Sequence, residues 1–299
     1  MPHTPIIGRF APTPSGPLHF GSLVTALASY CHAISQQGQW LIRIEDVDTP
    51  RVVDGSLHRI LNDLEVFGFE WDGEIIYQSD QFERYRDVLN QLLTQGHAYA
   101  CECSRRTLRE AKVKTGPLGM IYPGICRGKR LSRESHSIRI NTESIGELGY
   151  PDQLFGKIEI DIPEQAGDFV IRRADGIYAY HLAVVLDDEL QGINQVVRGA
   201  DLLEATCLHL YLQQLLNFRT PEYLHIPLVR NSNGDKLSKQ TGATAVDKNQ
   251  AASLLVCALR TLGQPVEQGL EQGTASEVVQ YAVKSWDHQR IPVPDGGIY

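Results

Sequence analysis

No stretch of the sequence holds the ~18 to 20 consecutive apolar residues that a membrane-spanning helix needs. The opening residues, Met-Pro-His-Thr-Pro, have no basic flank leading into an apolar segment. Both absences speak against a membrane or secreted protein, and the cytoplasm is the expected location. Cysteine is scarce, with six residues at 31, 101, 103, 126, 207 and 257, and their spacing lacks the dense regularity of a secreted disulfide scaffold. Cys31, Cys207 and Cys257 fall in apolar stretches of helical pattern and are expected to be small buried hydrophobes. Internal repeats and low-complexity tracts are missing too. A general excess of basic residues is also lacking: the formal charge is −8, against a globally basic nucleic-acid binder.

What charge there is lies unevenly. Between Arg105 and Arg139 ten Lys/Arg stand against two acids, Glu110 and Glu134, so this segment carries +8 and the remainder about −16. A solvated face is the plain reading of a basic run, but a concentrated patch in an acidic protein invites a polyanion whose counterions are released on binding.

The first hundred residues alternate strand and helix patterns. Ile6 to Ala11, Trp40 to Glu45 and Ala98 to Cys101 read as strands. Ser22 to Gln36, Asp54 to Phe67 and Asp80 to Gln95 read as helices, with Asp54 and Asp80 as N-caps and Gly96 as a stop. Such alternation predicts parallel βαβ units with ligands at the carboxyl ends of the strands. From Glu102 to about Asp175 the pattern becomes short, charged and strand-rich, an insertion between two halves of a nucleotide-binding fold. After it, "GIYAYHLAVVLDDELQGINQVV" reads as strand-like to about Val197, with a helix from Asp201 or Leu202 to Leu216 and a strand at Tyr223 to Val229. Helical patterns at Asp247 to Leu262 and Ala275 to Val283 close the chain. The boundaries expected are 1–101 and 176–245 for the two catalytic halves, 102–175 for the insertion and 246–299 for a short helical extension. The fold class is α/β, a Rossmann-like parallel nucleotide-binding fold split by the insertion.

Two loops carry chemistry. In "RFAPTPSGPLHFGS", Arg9 to Ser22, a strand enters a proline-stiffened turn in which Gly16 and Gly21 flank His19 at a helix start. Such a turn brings backbone N–H groups and the positive end of a helix dipole close to phosphate. No Gly-Lys-Ser/Thr follows, so it is not a Walker loop. In "GDKLSKQ", Gly234 to Gln240, Lys236 and Lys239 lie three apart on a polar loop, where ammonium groups can meet a triphosphate and the charge developing on a leaving pyrophosphate. Asp187-Asp188 reads as a solvated or capping pair rather than a metal site.

In this order and across an interrupted βαβ pattern, the two loops resemble the HIGH and KMSKS signatures of class I aminoacyl-tRNA synthetases. "RIEDVDTPR" and "YHLAVVLDDELQGINQVVRGADLLEAT" resemble the catalytic core of the glutamyl branch. The resemblance covers roughly residues 6 to 245. It implies a pocket for L-glutamate in which Arg9 and Arg198 meet carboxylates, Glu45 receives the ammonium, Tyr180 lines the side-chain end, and Ala11 and Ser15 frame the α-carboxylate and the adenylate. His19 and the backbone around Gly21, with Pro12, Thr13 and Ser22, would hold ATP. Lys239, helped by Lys236, would stabilise the departing pyrophosphate, and Mg²⁺ would bridge phosphate oxygens. Val184 departs from the pattern, since full-length glutamyl enzymes often carry Asn there.

Cys101, Cys103 and Cys126, in a loop-rich segment with little apolar core, suggest a structural Zn²⁺, which wants four ligands. Chemistry leaves the fourth open among Tyr122, His97, Glu102 and His136, and the resemblance favours Tyr122. Only 59 residues follow Gln240, where full-length glutamyl enzymes continue into anticodon-reading domains. The pattern therefore resembles their truncated, stand-alone paralogues. That resemblance implies activation of glutamate by ATP without tRNA, then transfer to the cyclopentenediol of queuosine in the anticodon loop of tRNA(Asp), with the basic insertion as the RNA platform and a monomer as the expected state. A minimal synthetase charging a tRNA 3′ end, and a non-catalytic zinc module that binds RNA or a metabolite, are the other readings.

Overall fold

The computed structural model describes residues 5–229 and 245–293. The chain runs β1 (Ile7–Phe10), α1 (Phe20–Ile34), β2 (Gln39–Ile44), α2 (Ser56–Val66), β3 (Ile76–Tyr77), α3 (Phe82–Thr94) and β4 (Ala98–Cys101). Shorter elements follow: α4 (Arg105–Glu110), β5 (Thr115–Gly116), β6 (Gly119–Met120), β7 (Ser137–Ile140), β8 (Glu147–Asp152), β9 (Gly156–Asp161), α5 (Ile162–Gln165) and β10 (Val170–Arg172). The rest is α6 (Tyr180–Leu190), β11 (Gln195–Gly199), α7 (Ala205–Leu216), β12 (Glu222–Ile226), α8 (Ala251–Thr261) and α9 (Ala275–Ser285).

β1 and β2 pair in parallel, with Arg9 opposite Leu41, and β3 continues the sheet in parallel on β2. β11 and β12 form a second parallel pair, extended through β8 to the antiparallel β9. Asn194 stitches the two sheets together: its N–H donates to Ile7 C=O at 3.1 Å, and its Oδ1 accepts from Ile7 N–H at 2.8 Å. β1 and β11 thus start together, and their carboxyl ends, at Phe10 and Gly199, open on the same cleft. α1 lies over these strands because its apolar side, Leu23, Val24 and Leu27, is fully buried. Each such side chain contributes about 1.5 to 3 kcal/mol. Leu255 and Val278, from α8 and α9, share that core. The strands β4, β7 and β10 make a separate antiparallel sheet.

Several local expectations are corrected. The strand-like segment before Val197 is mostly the helix α6, with only β11 extended. Leu182 to Asp188 are all buried, so the helix shows no polar face, and Val184-Val185 mimic a strand. Asp54 does not cap α2, where Gly55 takes the N-cap place at φ 68°. Asp80 sits in a 3₁₀ turn, and α3 starts after Gln81. Cys31 and Cys207 are buried as expected, whereas Cys257 is exposed. No helix among the described residues is long and apolar enough to cross a membrane.

Candidate active site

The proline-rich turn after β1 is fixed at every second residue. Glu45 N–H donates to Pro12 C=O at 3.0 Å, Val53 N–H to Pro14 C=O at 2.9 Å, and the buried Ser56 hydroxyl both donates to Gly16 C=O (2.7 Å) and accepts from Gly16 N–H (3.0 Å). Gly16 stands at φ 144°, which a side chain would resist. The turn delivers His19 to the N-cap of α1. There its Nδ1 accepts from Ser22 N–H at 3.2 Å, so that Nε2 carries the proton and faces Ser22 Oγ at 3.0 Å. Ala245 bridges His19 in antiparallel fashion and Val229 lines the cleft, so the chain leaves and re-enters the described structure beside this turn. Lys236 and Lys239 lie outside the described residues.

The cleft measures about 690 Å³. Around it the structure brings together Arg9, Ala11, Pro12, Thr13, Ser15, His19, Gly21, Ser22, Glu45, Tyr180 and Arg198, which are the described residues that the sequence nominates for glutamate and ATP. Val184 is not among the lining residues. It is 1% exposed, one turn after Tyr180, in the core beneath.

Asp188 contradicts the expectation of a solvated or capping pair. Both acids are buried, and Asp188 Oδ1 accepts from Arg9 Nε at 3.1 Å and from Arg43 Nη1 at 2.7 Å. Burial alone would raise its pKa, but the two guanidinium charges outweigh that and hold it below the usual carboxylate range. Asp187 takes hydrogen bonds from Tyr85 (2.7 Å) and Gln78 (2.9 Å), and burial pushes its pKa up. Arg43 also lies 3.6 Å from Glu45, whose side chain is 11% exposed and whose pKa burial raises against the pull of Arg43 and Arg9. A strand arginine at 0% exposure gave no sign of this role in the sequence.

Arg198 has different company. It is 5% exposed, and its partners are His225 Nε2 (3.1 Å), Tyr180 OH (3.2 Å), Thr206 Oγ1 (2.7 Å) and His209 Nδ1 (3.1 Å). Among the described residues no carboxylate lies within ion-pair distance of it. Burial and the Arg198 charge hold His209 well below its ordinary pKa. Burial likewise lowers His225 to about 4, with the hydrogen bond to Asp152 opposing. A buried guanidinium without a counter-charge is costly unless an anion is supplied.

A second cluster sits between β4 and the following loops. The thiols of Cys101, Cys103 and Cys126 lie within 4.8 Å of one another and could hold a metal ion. The Tyr122 hydroxyl is inside the cluster, 3.2 Å from Cys101 Sγ and 3.5 Å from Cys103 Sγ. Of the other candidates, Glu102 is engaged by Lys129 at 2.8 Å, and His136 Nδ1 faces Ser132 C=O at 2.8 Å. Arg139 stacks on the Tyr122 ring, with its guanidinium carbon 3.9 Å from the centroid. The basic run is divided in two: Arg139 is buried and Arg127 forks onto the buried Asp168 (2.7 and 2.6 Å), while Arg105, Arg106, Arg109, Lys112, Lys114, Lys129, Arg130 and Arg133 are exposed.

Comparison with known proteins gives a consistent picture. The family described as "tRNA synthetases class I (E and Q), catalytic domain" matches residues 5–289. A glutamyl-Q tRNA(Asp) synthetase of Pseudomonas syringae pathovar tomato is 48% identical over 96% of this chain and 94% of its own. One of Dechloromonas aromatica is 47% identical over 97% of each. The crystal structure of a glutamate–tRNA synthetase from Elizabethkingia anophelis superposes with a TM-score of 0.79 at 25% identity, over 96% of this chain and 67% of that one. The architecture is thus the α/β class I synthetase fold with its parallel sheet. With a family match over almost its whole length and relatives at nearly half identity, the chain belongs to the glutamyl-Q tRNA(Asp) synthetase family of class I aminoacyl-tRNA synthetase-like ligases.

Proposed function

We propose that the protein activates L-glutamate with ATP in the absence of tRNA and transfers it to the cyclopentenediol of queuosine in the anticodon loop of tRNA(Asp). The observation that carries this reading is Arg198: a buried guanidinium without a carboxylate of its own, sharing one cleft with Arg9, Glu45 and the N-terminus of α1. The names of the relatives agree with it. Arg9 and Arg198 take the two carboxylates and Glu45 the ammonium, with Tyr180 at the side-chain end and Ala11 and Ser15 along the loop. His19, Pro12, Thr13, Gly21 and Ser22 hold the nucleotide.

In the first step a glutamate α-carboxylate oxygen attacks the α-phosphorus of ATP, and the bond to the pyrophosphate oxygen breaks. Alignment and charge stabilisation suffice, without a protein nucleophile. Lys239 and Lys236 neutralise the departing pyrophosphate, and Mg²⁺, when bound, would supply further screening of phosphate charge. In the second step a queuosine hydroxyl attacks the acyl carbon, loses its proton, and AMP leaves. The exposed arginines and lysines of residues 102–175 form the RNA platform between the catalytic halves 1–101 and 176–245, with 246–299 as a helical extension. A reaction that needs ATP and tRNA together belongs in the cytoplasm.

Cys101, Cys103, Cys126 and Tyr122 would hold one structural Zn²⁺. Around a tetrahedral zinc with sulfur at 2.3 Å and oxygen near 2.0 Å, sulfurs stand about 3.8 Å apart and sulfur and oxygen about 3.5 Å apart. The observed 3.6 Å between Cys103 and Cys126, and 3.2 and 3.5 Å to the Tyr122 oxygen, support that donor set. The ion would tie β4 to a loop with a small core of its own.

The deciding experiment is glutamate-dependent ATP–pyrophosphate exchange without tRNA, followed by transfer of labelled glutamate to tRNA from queuosine-replete and queuosine-deficient cells. Exchange, with label on the replete tRNA alone, is expected. Equal labelling of both tRNAs would point to 3′-end charging, and absence of exchange to a non-catalytic module.

A further inference from the structure

A guanidinium has five N–H donors and no acceptor. Arg198 spends its Nε–H on His225 Nε2, one Nη1–H on the Tyr180 oxygen, and its Nη2 hydrogens on Thr206 Oγ1 and His209 Nδ1. One Nη1–H is left, on the edge next to Tyr180. Tyr180 accepts from Arg198, so its own hydroxyl hydrogen is available to a ligand, and both residues line the cleft. Arg198 therefore cannot offer the two-pronged fork that a guanidinium usually presents to a carboxylate.

The acceptors around Arg198 are themselves set from behind. Because an arginine can only donate, His225 Nε2 and His209 Nδ1 must be bare, and each ring carries its proton on the other nitrogen. His225 Nδ1–H has its acceptor in Asp152 Oδ2 at 2.7 Å, a fully buried contact on β8. His209 Nε2–H has its acceptor in His181 Nδ1 at 3.1 Å. Asp152 is anchored in turn by the N–H groups of Leu154, Phe155 and His225. A proton on either acceptor nitrogen would set N–H against N–H.

We propose that His225, with its tautomer fixed by Asp152, and His209, with its tautomer fixed by His181, are positioning residues for substrate recognition. They take up the Nε and Nη2 hydrogens of Arg198, so that a substrate carboxylate is met by a mixed pair of donors, the last Nη1–H of Arg198 and the hydroxyl of Tyr180. The selectivity for an anion lies in the guanidinium charge, which no group in contact with it neutralises, Asp152 and Asp188 acting only from a distance. This rests on the glutamate reading of the cleft.

The test is ATP–pyrophosphate exchange without tRNA for His225→Leu, His225→Gln, His209→Leu and His209→Asn. Glutamine and asparagine put an amide oxygen where Nε2 and Nδ1 stood, whereas leucine leaves an arginine N–H orphaned. The leucine variants are expected to raise KM for glutamate at least about tenfold, with KM for ATP and kcat within about twofold, and the amide variants to recover to within about threefold of wild type. Wild-type protein without glutamate-dependent exchange would sink the glutamate reading itself. Normal wild-type exchange with an unchanged glutamate KM in the leucine variants would overturn only the positioning role. So would equal losses in the amide and leucine variants, or a KM for ATP that rises in step. Should His225→Leu fail to fold, judged by its unfolding transition, the pair at His209 decides alone.

Discussion

Replacing Asp188 with asparagine should cost both stability and glutamate affinity, and the two costs can be separated. The carboxylate accepts from Arg9 at 3.1 Å and from Arg43 at 2.7 Å, at 6% exposure. The amide keeps an oxygen in place but turns two charge-assisted hydrogen bonds into ordinary ones. With about 1.5 to 3 kcal/mol for the former and 0.5 to 1.5 for the latter, two bonds lose about 2 kcal/mol, or roughly 30-fold in the unfolding equilibrium. Denaturant unfolding measures this directly. Arg9 is freed at the same time, and KM for glutamate in ATP–pyrophosphate exchange should rise about tenfold, with KM for ATP little changed. The pH dependence adds a check of sign. The pKa of Asp188 is depressed in the fold, so its contribution is complete above the unfolded carboxylate value and is lost as pH falls through the folded one. The gap between wild type and Asp188→Asn should be constant from about pH 5 to 7 and close below about pH 4. A gap that widens in acid, or a variant with wild-type glutamate KM, would refute the argument that Asp188 orients Arg9.

Three further outcomes follow from the same physics. Arg127→Ala leaves the carboxylate of Asp168, whose side chain is fully buried, with Tyr99 and Thr142 but no cation bonded to it, since Arg139 donates only to the Asp168 C=O, and should cost about 3 kcal/mol or more in denaturant unfolding; a change within about 0.5 kcal/mol would show that the remaining partners suffice. Tyr122→Phe removes the oxygen from the thiol cluster and should lower zinc bound per chain in chelator competition at least about tenfold, while the three thiols remain titratable; unchanged metal content would exclude Tyr122 as a ligand. Lys239→Ala should lower kcat of the exchange by about a hundredfold with little effect on KM for glutamate, as fits a group that acts on the leaving pyrophosphate; a selective rise in KM for glutamate instead would place it in substrate binding.

The loop after β1 was legible in the sequence because its chemistry is local. Prolines, glycines and a histidine at a helix start each follow from a backbone requirement within a few residues, and the turn is indeed held by contacts to residues 45, 53 and 56. The helix α6 was not legible, because burial on every side erases the periodicity by which a helix is recognised. Asp188 was misread for a related reason. Its two partners lie 179 and 145 residues away, and nothing within its own segment distinguishes an acid that will be paired in the interior from one left in water. His209 and His225 stand in apolar stretches and carry no local mark of their orientation toward Arg198.

Three of the buried arginines, Arg9, Arg43 and Arg198, differ in how their charge is met, and that difference bears on what the cleft can bind. Arg43 and Arg9 share Asp188, and Arg43 also has Glu45 nearby. Among the described residues Arg198 touches no carboxylate: Asp152 stands behind His225 and the charge of Asp188 acts on it without contact, so its field is offset only from a distance. Exchanging these environments would reverse the outcome: a carboxylate at position 209, whose other neighbour is His181, would satisfy Arg198 and leave a cleft suited to a neutral side chain, however well its shape were kept. His209→Asp, which sets a carboxylate oxygen where Nδ1 stood, should therefore depress discrimination between glutamate and glutamine in the exchange assay. A glutamate introduced at the exposed Gln91 of α3, which does not line the cleft, should leave that ratio unchanged. If both substitutions changed the ratio equally, the charge of Arg198 would not be what selects the acid.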